Sequence, residues 1–350
     1  MAKHIQIADR RVGPGYPVFI IAEAGVNHNG DVNLAKKLID LAKKAGADAV
    51  KFQTFRAEDV VSRNAEKAEY QKETTGVDES QFEMIKKLEL ADSDFADLSA
   101  CAHEQGVVFL STPFDRSSVD LLDELGVPAF KIPSGEITNL PLLRQIARKQ
   151  KPIILSTGMA TLGEIEEALE AIKQAGEEQI IVLHCTTSYP AKVEDVNLKA
   201  METLSKAFKL PVGLSDHTLG ITIAIAAVAL GACLVEKHFT LDKGLPGPDH
   251  QASLEPEEFK QMVRAIRDVE KAMGDGLKRP TAVEEENKMV VRRSIFARID
   301  IPEGTILTEE MLDFKRPAGG IDPRHVDMII GRKTRAHIDS DELITIGKLM

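Results

Sequence analysis

Short apolar runs alternate along the chain with longer stretches whose apolar residues recur every three or four positions, the pattern of β-strands alternating with amphipathic helices. Eight runs read as strands: 18–22 (VFIIA), 48–52 (DAVKF), 107–111 (VVFLS), 129–132 (AFKI), 152–156 (PIILS), 179–185 (QIIVLHC), 211–215 (PVGLS) and 233–239 (CLVEKHF). Between them lie helix patterns such as LAKKLIDLAKKAG and TLGEIEEALEAIKQAG, each closed by a glycine at the expected stop. Eight βα units predict an α/β fold of the (β/α)₈ TIM-barrel type, since an open doubly wound sheet usually has five or six strands. No G-x-G-x-x-G follows the first strand, and AGVNHNG has the wrong spacing for one.

The rhythm stops after Met273. The polar segment 276–293, with Gly and Pro, reads as a linker between a barrel domain (1–275) and a small β-rich domain (294–350). In the latter, ARIDIPEGTIL (297–307) and TRAHIDSDELI (334–344) look like one strand-turn-strand unit used twice. So short a domain has a marginal core, so it is expected to pack on a barrel, its own or a partner's.

Composition narrows the class without naming a chemistry. The 350 residues carry 44 Lys and Arg against 55 Asp and Glu, a net charge of −11 that repels nucleic acid and anionic membranes. With no Trp and 5% aromatic residues, few surfaces remain on which bases could stack. Cys101, Cys185 and Cys233 form no CxxC and are odd in number, which argues against disulfides or structural zinc and for a reducing cytoplasm. The start, MAKHIQIADRRVG, lacks a signal-peptide core, and the longest apolar run, 221–235, is too short to span a bilayer.

In a barrel of this type the strand C-terminal ends wall one pocket. Those ends are polar almost throughout: Glu23 with Asn27, His28 and Asn29; Lys51 with Gln53; Ser111 and Thr112; Lys131 with Ser134 and Glu136; Ser156 and Thr157; His184 with Thr186, Thr187 and Tyr189; Ser215, Asp216 and His217; Glu236, Lys237, His238 and Asp249. Lys51 and Lys131 sit inside apolar runs, and an ammonium buried there needs an anionic partner or a covalent task. One reading is an internal ion pair with Glu23 or Glu236. The sharper one adds Thr112, Ser134, Ser156 and Ser215 to make a cradle for phosphate and carboxylate. His217 and His238 end neighbouring strands and could share a metal, with Glu23, Glu236 and Asp249 nearby; such an N/O donor set leaves Mn²⁺, Mg²⁺, Co²⁺ or Zn²⁺ open. Cys185 beside His184 could be a nucleophile, but with no orienting third group it reads as a core cysteine.

The strand-end segments resemble the sialic acid synthase family: IAEAGVNHNG, DAVKFQTF, STPFD, KIPSGEITNLPLL, ILSTGMA, LHCTTSYP, GLSDHTLG, EKHFTLDKGLPGPDH and, near the end, FKRPAGG. The small last domain resembles the antifreeze-like (SAF) domain of these enzymes. The resemblance implies condensation of phosphoenolpyruvate with an N-acetylated hexose such as N-acetylmannosamine, giving a 2-keto acid and phosphate in a metal-dependent reaction with C–O cleavage. It places metal ligands on His217 and His238, the ion being Mn²⁺, or Mg²⁺ or Co²⁺. Phosphoenolpyruvate contacts fall on Lys51, Thr112, Lys131, Ser134, Ser156, Thr187 and Ser215. Sugar contacts fall on Gln53, Tyr189, Glu236 and Asp249, with Arg316 of FKRPAGG reaching the partner subunit's pocket in a domain-swapped homodimer. Catalytic roles fall on Glu23, Glu236, Lys51 and Lys131. Ahead of Ser294, Arg292 and Arg293 stand where some members place an aromatic.

The principal expectation is thus an N-acetylneuraminate synthase. Legionaminate or pseudaminate synthases, acting on a 2,4-diacetamido-trideoxyhexose, share most of the motifs. A Schiff-base aldolase using Lys51 or Lys131 is the rival chemistry, and a sugar-binding module with an inactive barrel is the rival class.

Overall fold

The fold was analysed as a computed structural model that describes residues 4–75 and 79–350. The chain divides into two units, Met1–Gly274 and Asp275–Met350, each considered by itself. In the first, a hairpin of β1 (Ile5–Ile7) and β2 (Arg10–Val12) precedes eight parallel strands: β3 (Phe19–Gly25), β4 (Ala49–Thr54), β5 (Val108–Pro113), β6 (Phe130–Ile132), β7 (Ile153–Ser156), β8 (Ile180–Cys185), β9 (Val212–Asp216) and β10 (Leu234–His238). Their hydrogen-bonded order is β5-β4-β3-β10-β9-β8-β7-β6. The end strands β5 and β6 also lie side by side, so the sheet is a nearly closed TIM-like barrel. All eight predicted strands are present, with ends displaced by at most three residues.

Side chains alternate across each strand, and the two faces do different work. Outward residues such as Ile20, Ala22, Val50 and Phe52 pack under the helices. The helix Val32–Ala45 buries Ala35, Leu38, Ile39 and Ala42 as one stripe, and Asp31 caps it by accepting the Asn33 N–H at 2.8 Å. Inward residues near the strand starts, among them Phe19, Ile21, Leu110, Ile154, Ile181 and Leu234, pack with Ile5, Ile7 and Val12. The N-terminal hairpin, which the sequence pattern did not announce, therefore packs on the N-terminal part of the barrel interior. Two residues further along six of the eight strands the inward position turns polar: Ile21 is followed by Glu23, Ala49 by Lys51, Leu110 by Thr112, Ala129 by Lys131, Ile154 by Ser156 and Leu234 by Glu236. The switch from apolar to ionic inside the barrel marks the floor of a site.

In the second unit β11 (Ser294–Ala297) pairs antiparallel with β12 (Leu312–Lys315) over a small core that includes Ile295, Ile301, Leu312, Ile338 and Ile344. The expected linker 276–293 contains a helix, Ala282–Val291, started by a capping box of Thr281 and Glu284. The duplicated unit is real. Ile301 and Ile338, equivalent in the two copies, exchange both backbone hydrogen bonds, 2.8 and 2.9 Å. The N–H of Gly304 donates to Thr334 O, and, by the same offset, that of Asp341 donates to Ala297 O. Gly304 (φ 77°) and Asp341 (φ 67°) occupy the matching left-handed turn positions, which favour Gly and tolerate Asp.

Candidate active site

Fourteen of the fifteen residues to which the sequence analysis gives catalytic, metal or substrate roles line one cavity of about 460 Å³ at the C-terminal ends of the strands: Glu23, Lys51, Gln53, Thr112, Lys131, Ser134, Ser156, Thr187, Tyr189, Ser215, His217, Glu236, His238 and Asp249. The fifteenth, Arg316, belongs to the second unit, just beyond β12, where it precedes a cis peptide bond to Pro317. The strand alternation gathers the first set, because each residue is the inward position nearest the end of its strand or of the loop that follows.

The floor is a buried ionic cluster. Lys51 Nζ lies 2.6 Å from Glu23 Oε2 and 3.7 Å from Glu236 Oε2, and it donates to Thr112 Oγ1 at 3.0 Å. Lys131 Nζ lies 3.4 Å from Glu236 Oε1, which also accepts from Ser215 Oγ at 2.9 Å. Both the ion-pair and the cradle readings of the lysines are therefore physically compatible: the carboxylates balance the charge where an incoming anion would bind. Burial pushes the Glu23 carboxyl up to about 7 despite Lys51, since Glu236 adds a like charge beside it. Burial acts on Glu236 too, but Lys131 and Lys51 outweigh it and hold that carboxyl down at about 2. Two neighbouring carboxyls are thus split into one that stays ionised and one that exchanges a proton near neutrality. Burial lowers Lys131, whereas Glu23 and Glu236 overcome it at Lys51 and raise that lysine.

Opposite the lysines stands a pair of imidazoles. The His217 and His238 ring centres are 5.3 Å apart, with Tyr189 lying 4.1 Å from the first and 5.5 Å from the second. His217 Nδ1 donates to Thr186 O at 2.7 Å, which leaves Nε2, 3.4 Å from Ser215 Oγ, as the lone-pair nitrogen. Burial, with His217 close by, holds His238 well below its ordinary value, so it is neutral; its Nδ1 has no hydrogen-bond partner and lies 3.9 Å from Asp249 Oδ2. A neutral His238 with an orphaned nitrogen and a His217 whose Nδ1 is engaged by a carbonyl, leaving Nε2 free, fit a divalent metal; burial opposes the charged form of His217, but Cys185 beside it raises that imidazole above its ordinary value. Among the described residues the cavity offers no three ligand atoms mutually within 4.8 Å, so a metal here would take two imidazoles and complete its shell with water or substrate.

The hydroxyl-bearing side of the cavity is shaped by Gly158. Its N–H donates to Ser134 Oγ at 2.9 Å, and a Cβ at this position would come within 2.2 Å of Thr187 Oγ1 and 2.9 Å of Ser134 Oγ. Only glycine lets both hydroxyls converge, a requirement the ILSTGMA segment did not reveal by itself. Ser156 Oγ and Glu236 Oε2 are buried there without hydrogen-bond partners. Cys185, read as a core residue, lines the cavity instead, 3.8 Å from His217 Nδ1. The Cys185–His184 pairing is not formed, because the His184 ring turns away to Val196 O at 2.5 Å.

Other strand-end residues hold the frame. Asp216 and Lys237, the outward neighbours of the two histidines, form a fully buried ion pair of 2.8 Å. Asn27 binds Phe239 O and Ser253 Oγ, each at 2.9 Å, while Asn29 binds His250 at 3.1 Å. These contacts tie the NHNG loop to the loop bearing Asp249.

The NeuB family matches residues 38–278, and the SAF domain matches residues 292–350. N,N'-diacetyllegionaminic acid synthase of Campylobacter jejuni subsp. jejuni serotype O:2 is 56% identical over 327 residues, covering 93% of this chain and 98% of the relative. The enzyme of the same name from Legionella pneumophila is 49% identical over 332 residues, covering 94% of this chain and 93% of the relative. Among solved structures, N-acetylneuraminic acid (sialic acid) synthetase from Leptospira borgpetersenii, in complex with citrate, superposes with a TM-score of 0.73 at 37% identity, covering 82% of this chain and 95% of that one. A strand-end constellation of this kind, with family matches spanning most of both units, makes the chain a member of the NeuB family with a C-terminal SAF domain.

Proposed function

We propose that the protein is a nonulosonic acid synthase that condenses phosphoenolpyruvate with a 2,4-diacetamido-trideoxyhexose to give N,N'-diacetyllegionaminate and phosphate, acting as a cytoplasmic homodimer. The observation that carries the chemistry is the buried Lys51–Glu236–Lys131 cluster facing the His217–His238 pair in one cavity. The choice of sugar rests on the two relatives at 56% and 49% identity, and it replaces N-acetylmannosamine, the principal expectation from the sequence.

Lys51 and Lys131 bind the phosphate and carboxylate, with the hydroxyls of Thr112, Ser134, Ser156, Thr187 and Ser215 completing the cradle. Gln53, Tyr189 and Asp249 orient the open-chain sugar. Bound to His217 and His238, a divalent ion (Mn²⁺ in this reading, with Mg²⁺ or Co²⁺ as alternatives) supplies Lewis-acid polarisation of the sugar aldehyde. C3 of phosphoenolpyruvate forms the new C–C bond to the aldehyde carbon, and Glu236, ionised at neutral pH, stabilises the positive charge left at C2. Glu23 accepts the proton of the water that adds at C2, a task suited to a carboxyl near 7. The tetrahedral carbon then expels phosphate by C–O cleavage as its hydroxyl gives up a proton to become the ketone. The alkoxide left at the former aldehyde carbon takes up a proton, and the two lysines offset the leaving charge.

Phosphate release from phosphoenolpyruvate, assayed with the diacetamido sugar, N-acetylmannosamine and its 6-phosphate, tests the reading; the diacetamido sugar should give the highest kcat/KM. Chelation by EDTA should stop the reaction and Mn²⁺ restore it, while His217→Ala should abolish Mn²⁺ binding seen by calorimetry. A rate indifferent to chelation, or an adduct of pyruvate trapped by borohydride, would favour the Schiff-base aldolase instead.

A further inference from the structure

The segment between β4 and β5 gives the same cavity a wall of different chemistry. In the helix Gln81–Leu88 (QFEMIKKL) the residues at i, i+3, i+4 and i+7, namely Gln81, Met84, Ile85 and Leu88, line the cavity. Phe55 and Gln71 extend this face. Charged side chains around this helix are engaged with one another: Lys86 pairs with Glu58 and Glu89 at 3.1 Å, Lys87 with Glu79, and Arg56 with Glu89 at 3.2 Å. None of them lines the cavity. Phe55, Leu88 and Val26, with Ile85 against them, form an apolar cluster separate from the main core.

A phosphorylated carboxylate gains nothing from such a wall and is served by the ionic floor. The wall is suited to the other reactant. A hexose rich in hydroxyls would lose hydration there without recovering hydrogen bonds, whereas methyl groups are welcome. Two carboxamides interrupt the apolar face: Gln81 Nε2 approaches Gln71 Oε1 at 3.4 Å. An acetamide is the same polar group carrying a methyl, so it can pair with a carboxamide while its methyl enters the apolar surface.

We propose that Gln81, Met84 and Ile85, the cavity face of this helix, select the sugar by reading the methyl and acetamido substituents remote from its aldehyde carbon. The inference rests on the function proposed above and deepens it. The side-chain polar contacts of Gln81 and Met84 run to Gln71 and Thr75, not to the ionic floor or the imidazole pair, so the selection is separable from phosphoenolpyruvate binding.

The experiment compares kcat/KM for the diacetamido sugar and for N-acetylmannosamine in the full-length enzyme and its Ile85→Asn and Gln81→Leu variants. Each variant should narrow the preference for the diacetamido sugar by roughly tenfold or more, the scale of one mismatched contact in a selective pocket, with KM for phosphoenolpyruvate unchanged. Gln81 is only half-buried, so its variant keeps the test open if Ile85→Asn fails to fold. A preference that stays constant in Gln81→Leu, or rates that fall equally for both sugars, overturns the assignment of this face. A wild-type enzyme that prefers N-acetylmannosamine instead overturns the underlying function, and that outcome is read without any variant.

Discussion

Lys51 and Lys131 act against the −11 charge of the chain that carries them, and they can do so only because they are buried beside one another's counter-ions. Lys131→Met should lower kcat/KM for phosphoenolpyruvate by about 100-fold or more, since a charge-assisted contact is lost from a desolvated site. Lys271→Met, at an exposed lysine, should leave steady-state kinetics within about twofold by the same reasoning. Single residues also set the acid limit of the fold. Burial lowers His28 from the ordinary 6.5 to about 4, and His250 likewise to about 4. The unfolded chain therefore binds protons that the folded one refuses. Stability from these groups is fully present above about 6.5 and is lost as pH falls towards 4, on the order of a few kcal/mol for the pair. Urea unfolding across that window should show the loss, and His28→Asn should flatten the slope if the imidazole is its source. That Lys51 and Lys131 need partners was legible from the apolar runs around them; that the loop carrying His28 is buried was not, because its neighbours Asn27 and Asn29 bind Phe239, Ser253 and His250, more than two hundred positions away.

At the scale of elements, the strand is the unit that makes the site. Its two-residue period carries the sequence from an apolar barrel interior to an ionic floor within one step, so a reading of strand ends recovered the ionic side of the cavity but not its apolar wall. Loops after the strands follow no such period. Gly158→Ala should displace Ser134 and Thr187 and raise KM for phosphoenolpyruvate by roughly tenfold, as expected when a pre-organised contact is moved by a fraction of an ångström. An unchanged KM in the folded variant would show that these hydroxyls are not part of the anion cradle. The helix Gln81–Leu88 is the corresponding lesson for the β4–β5 connection. Its amphipathic face could be counted from the sequence, yet nothing there said that the apolar side turns to a cavity rather than to the core.

At the scale of the whole molecule, two units of unequal size were anticipated from the break in the βα rhythm, and the chain divides between Gly274 and Asp275. The helix Ala282–Val291 within the expected linker escaped notice because its exposed, charged turns resemble a loop in composition, although the Thr281 and Glu284 cap was present in the sequence. Our reading assigns Arg316 to the active site of a neighbouring subunit. Mixed dimers of an Arg316→Ala chain and a His238→Ala chain should then recover part of the wild-type rate, because one composite site remains intact. Absence of recovery in verified mixed dimers would remove Arg316 from the site.

By itself the sequence determined the strands, the barrel they form, the duplicated strand-turn-strand unit and the residues at the strand ends, because all of these follow from short periods and local turn chemistry. Tertiary structure alone decided which carboxyl stays ionised, which nitrogen of His217 is engaged by a carbonyl and that the helix Gln81–Leu88 lines the cavity. Those properties depend on burial and on distances between groups far apart in the chain, and burial is a property of the packed molecule, not of any segment of it.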